Sequence, residues 1–197
     1  MKRDGEAGRP RDPRVDAAVL VAARELVCEI GYAETGVERI AQRAGVSRTA
    51  IYRRWPAKAL IIHEAVFPAA ERHVHLVSCG ELRGDLRGMV AGALALFSRP
   101  EVRAAMPGLM ADAAVDGRLR AAFRDGLESA ARRELTVVLD AARERGELRT
   151  DVSAGTVMHL VAGAFLFRMV AWGPEELPAL TEELTALLAA ALCEPSA

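Results

Sequence analysis

Residues 37–55 read VERIAQRAGVSRTAIYRRW. Val37, Ile40, Ala41 and Ala44 recur at helical spacing over barely two turns, and Gly45 then supplies the backbone freedom of a tight turn. Ser47 is placed to cap a following helix, whose inward residues are Ile51 and Trp55 and whose Arg48, Thr49, Tyr52 and Arg53 stay nearer solvent. Ala41 is small where the two helices approach, and Val46 and Ile51 anchor their angle. Two short helices joined in this way cross steeply, so that the second can enter a major groove while the first crosses the backbone. The stretch therefore predicts a helix-turn-helix reader of duplex DNA.

Charge supports the same segment. The chain of 197 residues carries 26 Lys+Arg against 27 Asp+Glu, a net charge of -1 that favours no partner. The balance is uneven, because residues 1–62 hold 12 basic and 8 acidic groups. Within 36–62 Arg39, Arg43, Arg48, Arg53, Arg54 and Lys58 face a single acid, Glu38, which suits a phosphate surface. A hydrophobic content of 51% excludes a strongly disordered chain, and 5% aromatics argues against an aromatic-rich sandwich. Three widely spaced cysteines cannot complete an intrachain disulfide framework. Together with the lack of an uncharged apolar stretch of about 18 residues, they lead to the expectation of a cytoplasmic protein without a spanning helix.

Outward from the motif the pattern is helical throughout. Residues 1–12 carry nothing to pack and are expected to form a flexible arm. Asp12–Pro13 opens a first helix with Val15, Val19, Ala22, Leu26 and Ile30 on one stripe, ended by Gly31. Pro56 closes the third helix, and Lys58–Val77 reads as a longer fourth. Leu82 to Phe97 forms another. Pro107–Gly108 and Asp116–Gly117 punctuate a shorter region, and a long run follows over 118–145. The segment 154–171 is apolar nearly all round, and 176–192 has a wide leucine face. Such helices need cover on more than one side. A symmetric contact with a second copy would provide it through Val157, Val161, Ala164, Phe165, Arg168, Leu180, Leu184, Leu187 and Leu188; a large monomeric bundle is the other solution. The expected architecture is all-α, with about nine helices. A helix-turn-helix domain over 13–56 precedes an antiparallel helical regulatory and dimerisation domain over 57–193, and 194–197 form a flexible end.

The stretch GYAETGVERIAQRAGVSRTAIYRRWPAKALI, residues 31–61, resembles the tetracycline-repressor-like family of bacterial transcriptional regulators. The resemblance implies a DNA-binding unit of three helices, a fourth linking it to a body that binds small effectors, and a homodimer built by the last two long helices. Repression is the commoner mode that it implies. Tyr32 resembles the packing aromatic after Gly31. Gly36 stands where the family usually has Ser or Thr, which leaves Thr35 to take over capping and a phosphate contact. Tyr52 and Lys58 match backbone-contacting positions. Arg48 and Arg53 can donate bidentately to guanine and Thr49 can offer its methyl to thymine, which makes these three the expected base readers. Ser47, Tyr52, Arg54, Lys58, Arg39 and Thr35 are the expected phosphate contacts. A two-fold dimer would space its reading helices by about 34 Å and favour a palindromic operator.

No catalytic constellation follows residue 62. His73 and His75 are two apart on an expected helix and diverge, so no metal pair forms, and no cofactor motif is present. Neither an enzyme nor a membrane partner is expected. Met89, Leu94, Phe97, Met106, Met110, Phe123, Phe165 and Met169 supply adaptable apolar lining for an effector pocket, with His159 as a polar contact; ordinary core packing is the other reading for each. A regulator without an effector, and a helical interaction module lacking specific DNA binding, stay open beside the ligand-responsive repressor.

Overall fold

The computed structural model describes residues 13–68, 78–149 and 151–194. They form α1 (Pro13–Glu34), α2 (Val37–Ala44), α3 (Arg48–Tyr52), α4 (Lys58–Val66), α5 (Leu82–Ser98), α6 (Pro100–Val115), α7 (Gly117–Phe123), α8 (Ser129–Glu144), α9 (Ala154–Ala171) and α10 (Leu177–Leu192). A π-helical turn, Arg124–Glu128, joins α7 to α8 without a break, so these described residues make nine rods and an all-α fold.

Two apolar cores organise the rods. Val19, Ala22, Ala23 and Leu26 of α1 enclose Ile40 and Ala41 of α2, Ile51 of α3, and Trp55. The larger core gathers α5, α6, α8, α9 and α10 around Leu86, Val90, Leu109, Leu139 and Phe165. The short α4 serves both, because Ile61 and Ala65 turn into the first core while Ala59, Ile62 and Val66 turn into the second. Deep in the body Phe97 and Phe165 stack with centroids 5.7 Å apart.

Several boundaries differ from expectation for local reasons. Gly31, at φ +76° and ψ 170°, ends the regular run of α1 as expected, and one further turn reaches Glu34 beyond it. The predicted fourth helix, Lys58–Val77, stops at Val66, where Phe67 precedes Pro68 and a residue before proline avoids helical backbone; His73 and His75 lie outside the described residues. Pro107–Gly108, read as punctuation of a shorter helical region, sits inside α6. Proline there forgoes one backbone bond, and burial of Val102, Ala105, Met106 and Leu109 holds the helix through it. Glu194 lies beside the body, its N–H donating to the Glu147 carbonyl at 2.9 Å.

α9 has the length and apolarity of a helix that crosses a membrane, with a mean hydropathy of 1.5 over 18 residues. It lies in the bundle, where Val157, Val161, Phe165 and Met169 pack into the body's core and Leu160, Phe167 and Val170 remain exposed. The start of α5 has a distant cap: the Leu82 N–H donates to Glu147 Oε2 at 2.7 Å, while Arg145 Nε donates to Oε1 at 2.6 Å. The Arg145 bond, and then the Leu82 N–H, hold the Glu147 carboxyl below its usual range.

Phe165→Ala should lower unfolding free energy by about 3–5 kcal/mol in urea titrations, the usual loss for emptying an aromatic site in a core. Glu147 stabilises the fold while ionised. Its contribution is present above the ordinary carboxylate range and is lost as pH falls through its lowered value. Glu147→Gln should therefore destabilise the chain at pH 7 and narrow the stability difference between pH 7 and acid, as read by urea midpoints at both.

Candidate nucleic-acid interface

The geometry of the motif follows from three backbone choices. Gly45 takes the left-handed conformation at φ +67° and ends α2. The Val46 N–H returns to the Ala41 carbonyl at 3.0 Å, which folds the turn tightly. Ser47 Oγ then accepts the Ala50 N–H at 3.2 Å and starts α3. With Ile51 and Trp55 both buried, the opposite side of α3 has to face outward. Arg48, Thr49, Tyr52 and Arg53 all lie there, exposed.

Trp55 fixes the far end of the reading segment. Its indole N–H donates to Glu64 Oε2 of α4 at 2.8 Å, and Arg54 lies over its ring at 5.4 Å. Arg54 also pairs with Asp16 of α1 at 3.3 Å and with Glu64 at 3.7 Å. This predicted phosphate contact is thus engaged with two carboxylates and joins the first, third and fourth helices.

The other predicted contacts divide. Arg53 makes no side-chain ion pair or hydrogen bond among the described residues, and Arg48 lies at a loose 3.8 Å from Glu38, both side chains mostly exposed. Arg39 has an equally loose partner in Glu34 at 3.9 Å. Ser47 and Tyr52 are exposed beside them. Two residues of the predicted phosphate set bond to the end of α1. Thr35 is fully buried and donates its hydroxyl to the Gly31 carbonyl at 2.7 Å, so α2 begins at Gly36 with no side-chain cap. Lys58 Nζ donates to the carbonyls of Tyr32 and Ala33 at 3.2 and 3.4 Å and lies 4.5 Å from the centre of the Tyr32 ring. Arg43, on the back of α2, grips Glu29 with both terminal nitrogens at 2.6 and 2.7 Å.

The expected effector lining is only partly brought together. Phe97, Met106, Phe165 and Met169 are packed into the core, and Met89 and Leu94 lie half-buried against it. His159 is exposed, 3.3 Å from Glu128. Met110 borders two open hollows. One, of about 310 Å³, has Pro107, Gly163, Leu166, Phe167 and Val170 as its other walls. The second, of about 330 Å³, adds Ala113, Ala114, Arg120, Phe123 and Arg124. Phe123 meets the buried His63 edge-on at 4.5 Å, a contact for which the lone histidine in α4 gave no periodic signal.

The expected interface residues divide by face. Val157, Val161, Phe165, Leu180, Leu184 and Leu188 are buried inside the chain's own core, and Ala164 is half-buried. Arg168 pairs with Glu183 at 3.4 Å and Glu176 at 3.8 Å. Leu187 is exposed, as are Leu160, Phe167 and Val170, which sequence reading left out. Apolarity on both sides of α9 hid which side the chain covers for itself.

An exposed basic second helix on a helix-turn-helix, carried by an all-helical body, is the build of a transcriptional regulator. Two family models match in succession. Residues 19–65 fit "Bacterial regulatory proteins, tetR family" and residues 78–191 fit "Tetracyclin repressor-like, C-terminal domain". The chain belongs to the tetracycline-repressor family of helix-turn-helix transcriptional regulators. It is 27% identical over 168 residues to the uncharacterized HTH-type transcriptional regulator YdeS of Bacillus subtilis, covering 85% of this chain and 84% of that one. Among solved structures it is similar to the TetR family transcription regulator SCO0332, with 28% identity, a TM-score of 0.67, and 92% and 100% of the two chains covered. A putative transcriptional regulator from Saccharomonospora viridis, solved in complex with choline, shares the fold at 18% identity and a TM-score of 0.70, over 93% of this chain and 100% of that one.

Trp55→Phe keeps a buried six-membered ring but removes the bond to Glu64 together with the pyrrole half of the indole. A hydrogen bond to a charged group contributes about 1.5–3 kcal/mol, and the lost ring atoms add to it, so urea unfolding should register a loss of at least about 1.5 kcal/mol.

Proposed function

We propose that the chain represses transcription by binding a palindromic operator as a homodimer, and that a small hydrophobic or amphipathic effector releases it. The observation that carries this reading is α3. One side of it is locked by Ile51 and Trp55, and the other holds Arg48, Thr49 and Arg53 outward. Arg48 and Arg53 suit guanine edges and Thr49 a thymine methyl. Ser47, Tyr52 and Arg39 flank them as phosphate contacts, which fix register without reading sequence.

The second copy is supported by the open edge of the body. Leu160, Phe167 and Val170 of α9 and Leu187 of α10 are each more than half exposed. Leu160, Gly163, Phe167 and Val170 follow helical spacing, so they form one stripe that an identical stripe could cover about a two-fold axis. The hollow between Met110 and Phe123 is the place for an effector, because the other shares Gly163, Phe167 and Val170 with the stripe. Its mostly apolar walls favour an apolar or amphipathic molecule. Release would follow if the effector bound more tightly to a dimer whose reading helices no longer match the groove spacing. The tight packing of Phe97, Met106, Phe165 and Met169 supports a second reading, a regulator that needs no effector.

Selection from randomised duplexes across a salt series tests the reader. A palindrome should be enriched, and Arg48→Ala or Arg53→Ala should relax its sequence at defined positions and cost about 1–3 kcal/mol each. Weak binding without sequence preference would sink the reading. Phe167→Glu with Leu187→Glu should give a monomer by light scattering and lose the operator while retaining its helical circular dichroism. With the operator known, a library of apolar and amphipathic compounds that leaves the complex intact would favour the effector-free reading.

A further inference from the structure

We propose that Tyr32, Gly108 and Asp112 form a joint that sets the angle of the DNA-reading helices on the body, which makes them positioning residues for operator recognition. The inference rests on the DNA-binding reading above, and none of the three lies on α3.

The joint starts at the kink in α1. Beyond Gly31 the chain leaves the axis of α1, and Tyr32 meets α6, whose residues lie some 80 positions further along. Its ring lies on the backbone of α6 at Gly108. A Cβ at that position would come within 2.1 Å of Tyr32 Cδ1, 2.5 Å of Cγ and 2.7 Å of Cε1. These atoms are near the root of a rigid side chain, so the ring cannot yield by swinging its tip. One helical turn further along α6, Asp112 accepts a hydrogen bond from the Tyr32 hydroxyl. Seat and acceptor are four residues apart and so share one face of α6. Burial, and then the Asp112 carboxylate, push the phenol's pKa well above its ordinary value, which keeps it a donor.

The third leg is α4. Lys58, at its first turn, lies over the same ring and donates to the Tyr32 and Ala33 carbonyls. Reader, bridge and body therefore meet at one side chain. α1, α2 and α3 share one core with Ile61 and Ala65 of α4, so the reading helices are seated together. A rotation at the end of α1 carries α3 with it. In a dimer that must match two half-sites about one turn of duplex apart, such a rotation changes the spacing that fits.

The sequence at Gly108 makes the test sharp. Alanine is the better helix former at an open site, so Gly108→Ala should harm the protein only through the ring above it. Full-length wild type, Gly108→Ala, Tyr32→Ala, the double variant and Tyr32→Phe are compared in selections that vary the spacer between half-sites. Gly108→Ala should keep its dimer mass and its salt-sensitive affinity for random duplex. It should bind the wild-type operator at least tenfold more weakly and select an altered or broadened spacer. Tyr32→Phe should follow in the same direction by a few-fold. Tyr32→Ala removes all three atoms nearest the added methyl, so the double variant should bind no worse than Tyr32→Ala. Val90→Ala, a buried change in the body's core, controls for stability and should leave the spacer unchanged.

Wild-type affinity and spacing in Gly108→Ala would overturn the joint and leave the DNA reading intact. Strictly additive losses in the double variant would overturn it as well. If wild type selected no operator, the DNA reading would fail first and the joint's role would fall with it.

Discussion

Nine residues of α4 are asked to belong to two cores at once. Ile61 and Ala65 are buried with α1, α2 and α3, while Ala59, Ile62 and Val66 are buried with the body. A helix this short has no stability of its own and persists only because both sides are packed. The reader's core in turn needs Ile61 to close beneath Trp55, whose indole is bonded to Glu64 on the same helix. The outward face of α3 is therefore only as well defined as the seating of α4. Burial at both ends of such a strut leaves little freedom for either unit to settle without the other.

The fate of the cations shows how folding selects among similar side chains. Six positive residues lie in 36–62, and composition treats them alike. Arg43 and Arg54 are held by carboxylates close by, and Lys58 by the carbonyl end of α1, where a positive charge also meets the negative end of the helix dipole. Arg48 and Arg39 have distant partners in exposed positions, where ion pairs contribute little and a phosphate can displace them. Arg53 has none among the described residues. The cations without close partners are thus fewer than the basic segment contains.

Much of this was legible from the chain. The order Gly45, Ser47, Ile51, Trp55 defines a turn, a cap and two anchors through local chemistry, and the structure has each in that role. The apolar stripes located the rods for the same reason, since a period of 3.6 reports that one face is buried. It does not report by what. Val157 and Leu160 both read as apolar positions of α9, yet one faces the chain's own core and the other faces out. The bonds of Thr35 and Lys58 to the carbonyls at the end of α1 had no sequence signal, because those carbonyls are presented only once the chain turns at Gly31. Gly108 read as punctuation because glycine next to proline usually is; the tyrosine above it lies 76 residues away in sequence. Glu147 capping α5 is of the same kind, a long-range bond with no local signature.

The body's closure also has a direction in time. Its core includes Leu177, Leu180, Leu184, Leu188 and Leu192, and the segment is tied back when Arg149 and Glu194 bond across to Leu192 and Glu147. All the residues of the reader's core, by contrast, have been made once synthesis passes residue 65. During translation the nascent chain thus carries the complete material of a basic reader well before the apolar faces of α5 and α9 receive their cover from α10. Those faces are the part of the molecule that has to wait, and they are where chaperone capture or premature pairing with a neighbouring nascent copy would take hold.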